Sequence, residues 1–136
     1  MAKGPYKPKK LFTLDAANST LPLVSRIIAD VVRVHTEMLK LNAEANKLAE
    51  EGRSVRAEEI RDRILDLAEN VESFVAELDG IGCVCKDHRA GLVDYPARMG
   101  NRIVFLCWRL GEKQIKFWHE LESGFSGRKS VKGAFA

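Results

Sequence analysis

Apolar residues recur every three or four positions through two long stretches in the first half of the chain. This spacing places them along one face of a helix. Gly52 separates the two stretches and leaves room only for a tight turn, so residues 22–79 are predicted to form an antiparallel helical hairpin. The first stripe is Val24, Ile27, Val31, Val34, Met38, Leu41, Ala45 and Leu48, and the second is Ala57, Ile60, Ile64, Leu67, Val71, Phe74 and Leu78.

Polar residues, prolines and glycines mark the predicted helix ends. Thr13 is expected to cap a short first helix, because its hydroxyl can accept a bond from a free backbone N–H. Pro22 suits the first turn of the second helix, where no hydrogen bond is lost. Gly52 is expected to end the second helix and Ser54 to cap the third, which is expected to end at Gly80.

From residue 81 onward the apolar residues alternate with polar ones, which indicates strands. An α+β fold is therefore predicted, in which the helical hairpin is followed by a four-stranded antiparallel meander over residues 81–120. The domain is expected to span residues 11–130, between a disordered basic tail (1–10) and a flexible C-terminus (131–136). The predicted strands are Ile81 to Lys86, Gly91 to Tyr95, Arg102 to Leu110 and Gln114 to Glu120.

The last two strands are predicted to be joined by a two-residue turn with Gly111 at its first central position. This register pairs Trp108 with Ile115 and Leu106 with Phe117, and a slip of one residue would exchange the faces of the last strand. The predicted faces are Val104, Leu106, Trp108, Ile115, Phe117 and His119 on one side, and Phe105, Cys107, Arg109, Lys116, Trp118 and Glu120 on the other.

The composition is that of one globular domain. The chain has 136 residues, of which 46% are hydrophobic and 30% charged, and it contains no apolar run long enough to cross a membrane. The basic N-terminus lacks the apolar core of a signal peptide, and three cysteines do not form a disulfide framework, so a cytoplasmic location is expected. The basic residues do not cluster on one element, so nucleic-acid binding is not expected.

The apolar face of the hairpin is wider than two helices can cover. Ile28, Leu65, Ala68 and Val75 flank the two stripes. Either the C-terminal module or a second copy of the hairpin must pack on this surface. We predict that the protein self-associates as a homodimer through its helices.

Four segments together resemble a bacterial family, the domain-of-unknown-function family 2203. They are FTLDAANSTLP near the start, then KDHRAGLVDYP, LCWRLGE and WHELESGFSGR. The resemblance covers roughly residues 11–130. It implies a cytosolic protein with the same helical hairpin and sheet, and it implies no activity, substrate or cofactor.

His119 is the first candidate for chemistry, because histidine can act as a general acid or base near neutral pH. Its structural alternative is a hydrogen bond to a backbone carbonyl or to Asp94. Asp94 interrupts an apolar strand, so it needs a cation if it is buried, and Arg109, Lys86 or Arg98 could supply one. Asp94 and Glu112 join His119 as candidate catalytic residues.

A small anion is the best-motivated ligand class. Lys86, Arg109 and Arg128 are candidate anion-binding residues, and Arg128 follows a glycine-rich segment whose N–H groups could help. Trp118 is expected on the open sheet face beside Cys107, where it could line the ligand pocket.

No cofactor or metal is predicted, because the cysteines lack the spacing of a structural zinc site. Cys107 and His119 are the candidate ligands if a metal binds, although Cys107 is also typical of a small core residue. The sequence favours a homodimeric binding module with a small-anion or partner site on the sheet. The alternatives are a small enzyme that uses His119 as acid or base, and a metal-binding protein.

Overall fold

Three helices precede an antiparallel sheet of five strands in the computed structural model, which describes residues 6–134. The α+β class is confirmed, and the sheet has one strand more than predicted. Residues 1–5 and 135–136, which belong to the predicted tails, lie outside the described part. The helices are α1 (Leu14–Ser19), α2 (Leu21–Glu50) and α3 (Ser54–Ile81), and the strands are β1 (Val84–Asp87), β2 (Leu92–Met99), β3 (Arg102–Arg109), β4 (Phe117–His119) and β5 (Lys129–Ser130).

The predicted starts of the first two helices are confirmed. Thr13 caps α1, and its Oγ1 accepts a hydrogen bond from the N–H of Ala16 at 3.1 Å. Pro22 lies in the first turn of α2. Both residues satisfy or avoid the free N–H groups that every helix start leaves.

The predicted ends of the third helix need correction. Ser54 is the first residue of α3 rather than its cap, and Arg53 occupies the cap position without a side-chain bond. The helix continues through Gly80 to Ile81 and is capped by Gly82, whose φ of 108° lies in the left-handed region. A glycine adopts this conformation without a Cβ clash, so the chain turns here into the sheet.

The two helical stripes pack against each other along the hairpin. Near the sheet, Ile28 is buried in the same core as the strands, so the sheet covers part of the wide apolar face. Leu65 remains 65% exposed on the outer part of the hairpin. The homodimer stays a prediction. Within residues 6–134, no helix is both long enough and apolar enough to span a membrane.

The five strands lie in sequence order, and every neighbouring pair is antiparallel. β2 continues to Met99, beyond the predicted end at Tyr95, and β1 begins at Val84 rather than at Ile81. The additional strand, β5, pairs with β4. The C-terminal segment is therefore part of the sheet, which brings Arg128 close to the other candidate residues.

The predicted register of the last hairpin is wrong by one residue. Leu106 pairs with Trp118, and Phe105 pairs with His119. The slip moves His119 to the sheet face that points away from the helices, and it moves Trp118 to the face that packs on them.

Hydrogen bonds in the connection between β3 and β4 explain this register. The indole Nε1 of Trp108 donates to the carbonyl of Glu112 at 2.9 Å. The N–H of Ile115 donates to Oδ1 of Asn18 in α1 at 2.7 Å. The N–H of Ile115 is therefore not available for pairing with β3, and the pairing of β4 with β3 begins only at Phe117.

Candidate functional site

The sheet has a second buried surface on the side that faces away from the helices. Asp94 on β2, Cys107 on β3 and His119 on β4 lie there, and all three side chains are buried. Asp94 is directly opposite Cys107 in the ladder. One carboxylate oxygen, the Sγ atom and one ring nitrogen of these residues all lie within 4.8 Å of one another.

Segments from both ends of the chain help to cover this surface. The ring of Tyr6 packs edge-to-face on Phe105, with their centroids 5.7 Å apart. On the other side, Leu121 and Phe125 lie along a cavity that opens beside the cluster. These segments lie outside the strands. The alternation of apolar and polar residues along the strands therefore does not reveal that this face is buried.

Both ring nitrogens of His119 are engaged. Nδ1 lies 2.6 Å from the carbonyl oxygen of Glu120, and Nε2 lies 2.9 Å from Oδ1 of Asp94. A carbonyl oxygen can only accept a hydrogen bond, so Nδ1 must carry a proton. The backbone therefore fixes the ring, and Nε2 is directed at the cluster. Both partners that we predicted for a structural His119 are present.

The partner of Asp94 is His119, not an arginine. Arg98 and Arg109 are exposed, and neither forms an ion pair with Asp94. Burial raises the pKa of the Asp94 carboxyl, and the hydrogen bond and charge of His119 and the charge of Lys86 act in the opposite direction. The positive charge of Lys86 therefore reaches the interior of the site.

Cys107 is a neutral thiol near neutral pH in the absence of a bound cation. Burial, and secondly the nearby Asp94 carboxylate, raise the pKa of this thiol to about 11. A thiol in this state is a poor nucleophile. The ring nitrogen that could deprotonate it is hydrogen-bonded to Asp94 instead. The geometry therefore does not favour nucleophilic catalysis by Cys107.

A cavity of about 180 Å³ lies next to the cluster. A small molecule can reach the three clustered side chains through it. Its wall combines the cluster with apolar groups and two charged side chains. The lining residues are Lys86, Leu92, Asp94, Cys107, His119, Leu121, Glu122, Gly124 and Phe125.

Arg128, a predicted anion ligand, is engaged within the protein. Its guanidinium donates to Oε1 of Glu112 at 2.6 Å and to the carbonyl of Cys107 at 3.2 Å. It also lies between two aromatic rings, 4.2 Å from the centroid of Phe117 and 4.5 Å from that of Phe125. Arg128 therefore fastens the C-terminal segment to the sheet and holds Phe125 at the cavity.

Three other predicted site residues also lie away from the cavity. Glu112 pairs with Arg128 and accepts the backbone N–H of Arg109 at 2.7 Å. The Arg109 guanidinium is near the Phe125 ring, and Trp118 is buried in the helix-facing core. The structure brings together Asp94, His119, Lys86 and Cys107, and it does not bring Glu112, Arg109, Arg128 or Trp118 into the cavity wall.

Two residues that line the site were not predicted, and a third was predicted only as an alternative. Leu121 and Phe125 line the cavity from the segment that follows the last predicted strand. Cys107 was expected mainly as a core residue. The role of Cys107 in the cluster could have been inferred from two facts. Cys107 lies on the strand next to that of Asp94, and the register shifted by one residue places His119 on the same face.

The fold and the site define an α+β domain in which a helical hairpin carries a small sheet with a buried Asp–Cys–His cluster. Residues 10–131 match the model of the family described as Uncharacterized conserved protein (DUF2203). The chain belongs to this family, which confirms the resemblance drawn from its motifs. Comparisons with curated proteins and with solved structures gave no significant match.

Proposed function

We propose that this protein binds a divalent transition-metal ion, best matched by zinc, through Asp94, Cys107 and His119. The observation that carries the proposal is the convergence of three different ligand atoms, all within 4.8 Å of one another, from three adjacent strands. The ladder fixes the relative positions of the strands, so little rearrangement is needed to bring the atoms onto one ion.

The donor atoms suit zinc. Zinc accepts thiolate sulfur, imidazole nitrogen and carboxylate oxygen in tetrahedral sites. Nε2 of His119 and Oδ1 of Asp94 are 2.9 Å apart. Two such ligands of one tetrahedral zinc would be about 3.4 Å apart, since each lies about 2.1 Å from the ion. This pair would therefore need to separate by about half an ångström to admit the ion.

The orientation of His119 supports the same assignment. Metal-bound histidines usually donate their other ring N–H to a carboxylate or a backbone carbonyl, which fixes the tautomer. His119 has this arrangement, because Nδ1 faces the carbonyl of Glu120 and Nε2 faces the cluster. The same geometry disfavours the alternative in which His119 is a general base, because Nε2 is already hydrogen-bonded to Asp94.

Three protein ligands leave one position of a tetrahedral ion for another molecule, as in catalytic zinc sites. The cavity next to Cys107 and His119 gives that position access to solvent. An ion there would polarise an oxygen atom of a bound molecule. The sequence predicted no metal, with Cys107 and His119 as the candidate ligands if a metal binds. Asp94 lies beside them as a third ligand, and this favours a metal here.

Titration of the chelator-treated protein with Co²⁺, a spectroscopic substitute for zinc, tests the proposal. One equivalent per chain is expected to bind and to produce the absorption of a thiolate-to-cobalt charge transfer. Zinc is expected to displace the cobalt. The isosteric variants Cys107→Ser and Asp94→Asn, and the variant His119→Gln, are each expected to lose at least about tenfold in affinity, because each removes one ligand.

Cys85→Ala is the matched control, because Cys85 is another free cysteine that lies outside the cluster. It is expected to bind cobalt as the unmodified protein does. Circular dichroism and thermal unfolding of each metal-free variant show whether it is folded. Absence of the charge-transfer band in the unmodified protein, or an unchanged band in folded Cys107→Ser, would overturn the proposal.

A further inference from the structure

We infer that the molecule that completes the site is a small monocarboxylate, with one oxygen on the ion and its negative charge beside Lys86. This inference rests on the proposed metal site, and it names the ligand class that the neighbouring cavity accepts. It is argued from the size of the cavity, the charge next to it and the nature of its walls.

The size of the cavity favours a small ligand. Its volume is about 180 Å³. One water molecule occupies about 30 Å³ in the liquid, so the cavity holds a molecule several times that size. Nucleotides and peptides extend beyond such a volume. A carboxylate with a short chain fits.

Lys86 supplies the positive charge. Its ammonium group lies over the ring of Phe105, 5.2 Å from the centroid, and it forms no ion pair with the residues that the structure describes. The nearby acid, Asp94, is already hydrogen-bonded to His119. Lys86 is therefore available to a negative group in the cavity.

The charge balance favours a single negative charge over two. A divalent ion bound by the Asp94 carboxylate and the Cys107 thiolate is neutral as a unit. Lys86 then adds one positive charge. Glu122 also lines the cavity and is exposed, as Lys86 is, but Lys86 is the charge that acts on the carboxyl of Asp94 in the cluster. A monocarboxylate matches this balance better than a phosphate, which carries about 1.5 to 2 negative charges at neutral pH.

The remaining wall is apolar. Leu92, Leu121 and Phe125 line the cavity away from the charged groups. These side chains suit the short alkyl part of a carboxylate, because contact with them removes apolar surface from water. The combination predicts a ligand with one charged end and one short apolar end.

Titration of the cobalt-loaded protein with butyrate tests this inference. Butyrate has six heavy atoms and both required ends, and its entry into the coordination shell is expected to change the visible cobalt spectrum in a saturable way. Butylamine has a similar shape and the opposite charge, so it is expected to cause no such change. Inorganic phosphate is expected to bind at least about tenfold more weakly than butyrate.

The variant Lys86→Met keeps most of the side-chain length and removes the charge. It is expected to weaken butyrate binding at least about tenfold, whereas cobalt is expected to bind it with the same stoichiometry because Lys86 is not a metal ligand. Lys116→Met, at an exposed lysine outside the cavity lining, is the matched control and is expected to bind butyrate normally.

The outcomes separate this inference from the proposed function. Normal cobalt binding with no response to butyrate, or a response that phosphate or butylamine equals, overturns the inference and leaves the metal site standing. Equal butyrate binding by Lys86→Met and Lys116→Met removes the assigned role of Lys86. Failure to bind cobalt at all overturns the proposed function, and this inference falls with it.

Discussion

Replacement of Gly91 by alanine is expected to lower the free energy of unfolding by about 2–5 kcal/mol. Gly91 has a φ of +74°, where a Cβ atom costs about 1–2 kcal/mol. A Cβ atom there would also lie 2.9 Å from Cγ2 of Ile28 and 2.9 Å from Cβ of Leu110. The side-chain and backbone shifts that such overpacking forces in a core typically cost about 1–3 kcal/mol more. Urea denaturation of the two proteins measures the difference.

Gly100→Ala is the control for this prediction. Gly100 has a similar φ of +60°, but a Cβ atom there would meet nothing within 4 Å. Its substitution should therefore cost only the backbone strain, about 1–2 kcal/mol. Equal losses for the two variants would show that the contact between Gly91 and α2 can relax, and that this turn does not fix the distance from helix to sheet.

The hairpin was predictable because its signals are local. The stripes on α2 and α3 alternate spacings of three and four, and only a helix places such residues on one face. The error at the end of α3 has a local reason as well. Gly80 and Gly82 are both plausible ends, and the difference depends on which of them adopts the left-handed conformation. The sequence alone does not show that choice.

The register of the sheet could not be predicted because both of its faces are buried. A strand with one face in water shows apolar and polar residues in alternation, and the pattern then fixes which residues point inward. In β4 the residues are Phe117, Trp118 and His119, of which the last two are both buried. Either assignment of faces satisfies this pattern. The register is therefore determined by contacts with distant residues, such as the hydrogen bond between Ile115 and Asn18.

The candidate site was predictable in its residue types and in the two structural partners of His119, and not in the cation expected beside Asp94. Asp94 was identified because a carboxylate is unusual in an apolar strand, and His119 because histidine can act as an acid or base near neutral pH. The arginines expected beside Asp94 do not reach it, because Arg98 and Arg109 are exposed and His119 is its partner. The ladder places His119 beside Asp94, and the C-terminal segment brings Arg128 to Glu112. These contacts depend on the fold of the whole domain.

Arg128→Ala is expected to lower the free energy of unfolding by about 3 kcal/mol and to loosen the C-terminal segment. The side chains of Arg128 and Glu112 are only 12% and 27% exposed. Removal of one partner from a buried ion pair typically costs about 3–5 kcal/mol, because the other charge is left without compensation. The partial exposure of Glu112 places the expected value at the lower end. Chemical denaturation measures the loss.

The control is the ion pair between Arg102 and Glu120, which joins the same part of the sheet at 3.1 Å. Its side chains are 57% and 35% exposed, and such pairs contribute about 0–1 kcal/mol. Arg102→Ala should therefore change stability little. Hydrogen exchange should rise around Phe125 and β5 in Arg128→Ala and not in Arg102→Ala.

Arg128→Lys separates the charge of Arg128 from its shape. Lysine keeps the charge, but it lacks the planar group that fits between Phe117 and Phe125 and donates to two acceptors at once. An intermediate loss is expected. Full stability of Arg128→Lys would mean that charge alone holds the segment, and an unchanged exchange rate in Arg128→Ala would contradict the fastening role. If the role is correct, Arg128→Ala should also enlarge the cavity entrance, because Phe125 forms part of its wall.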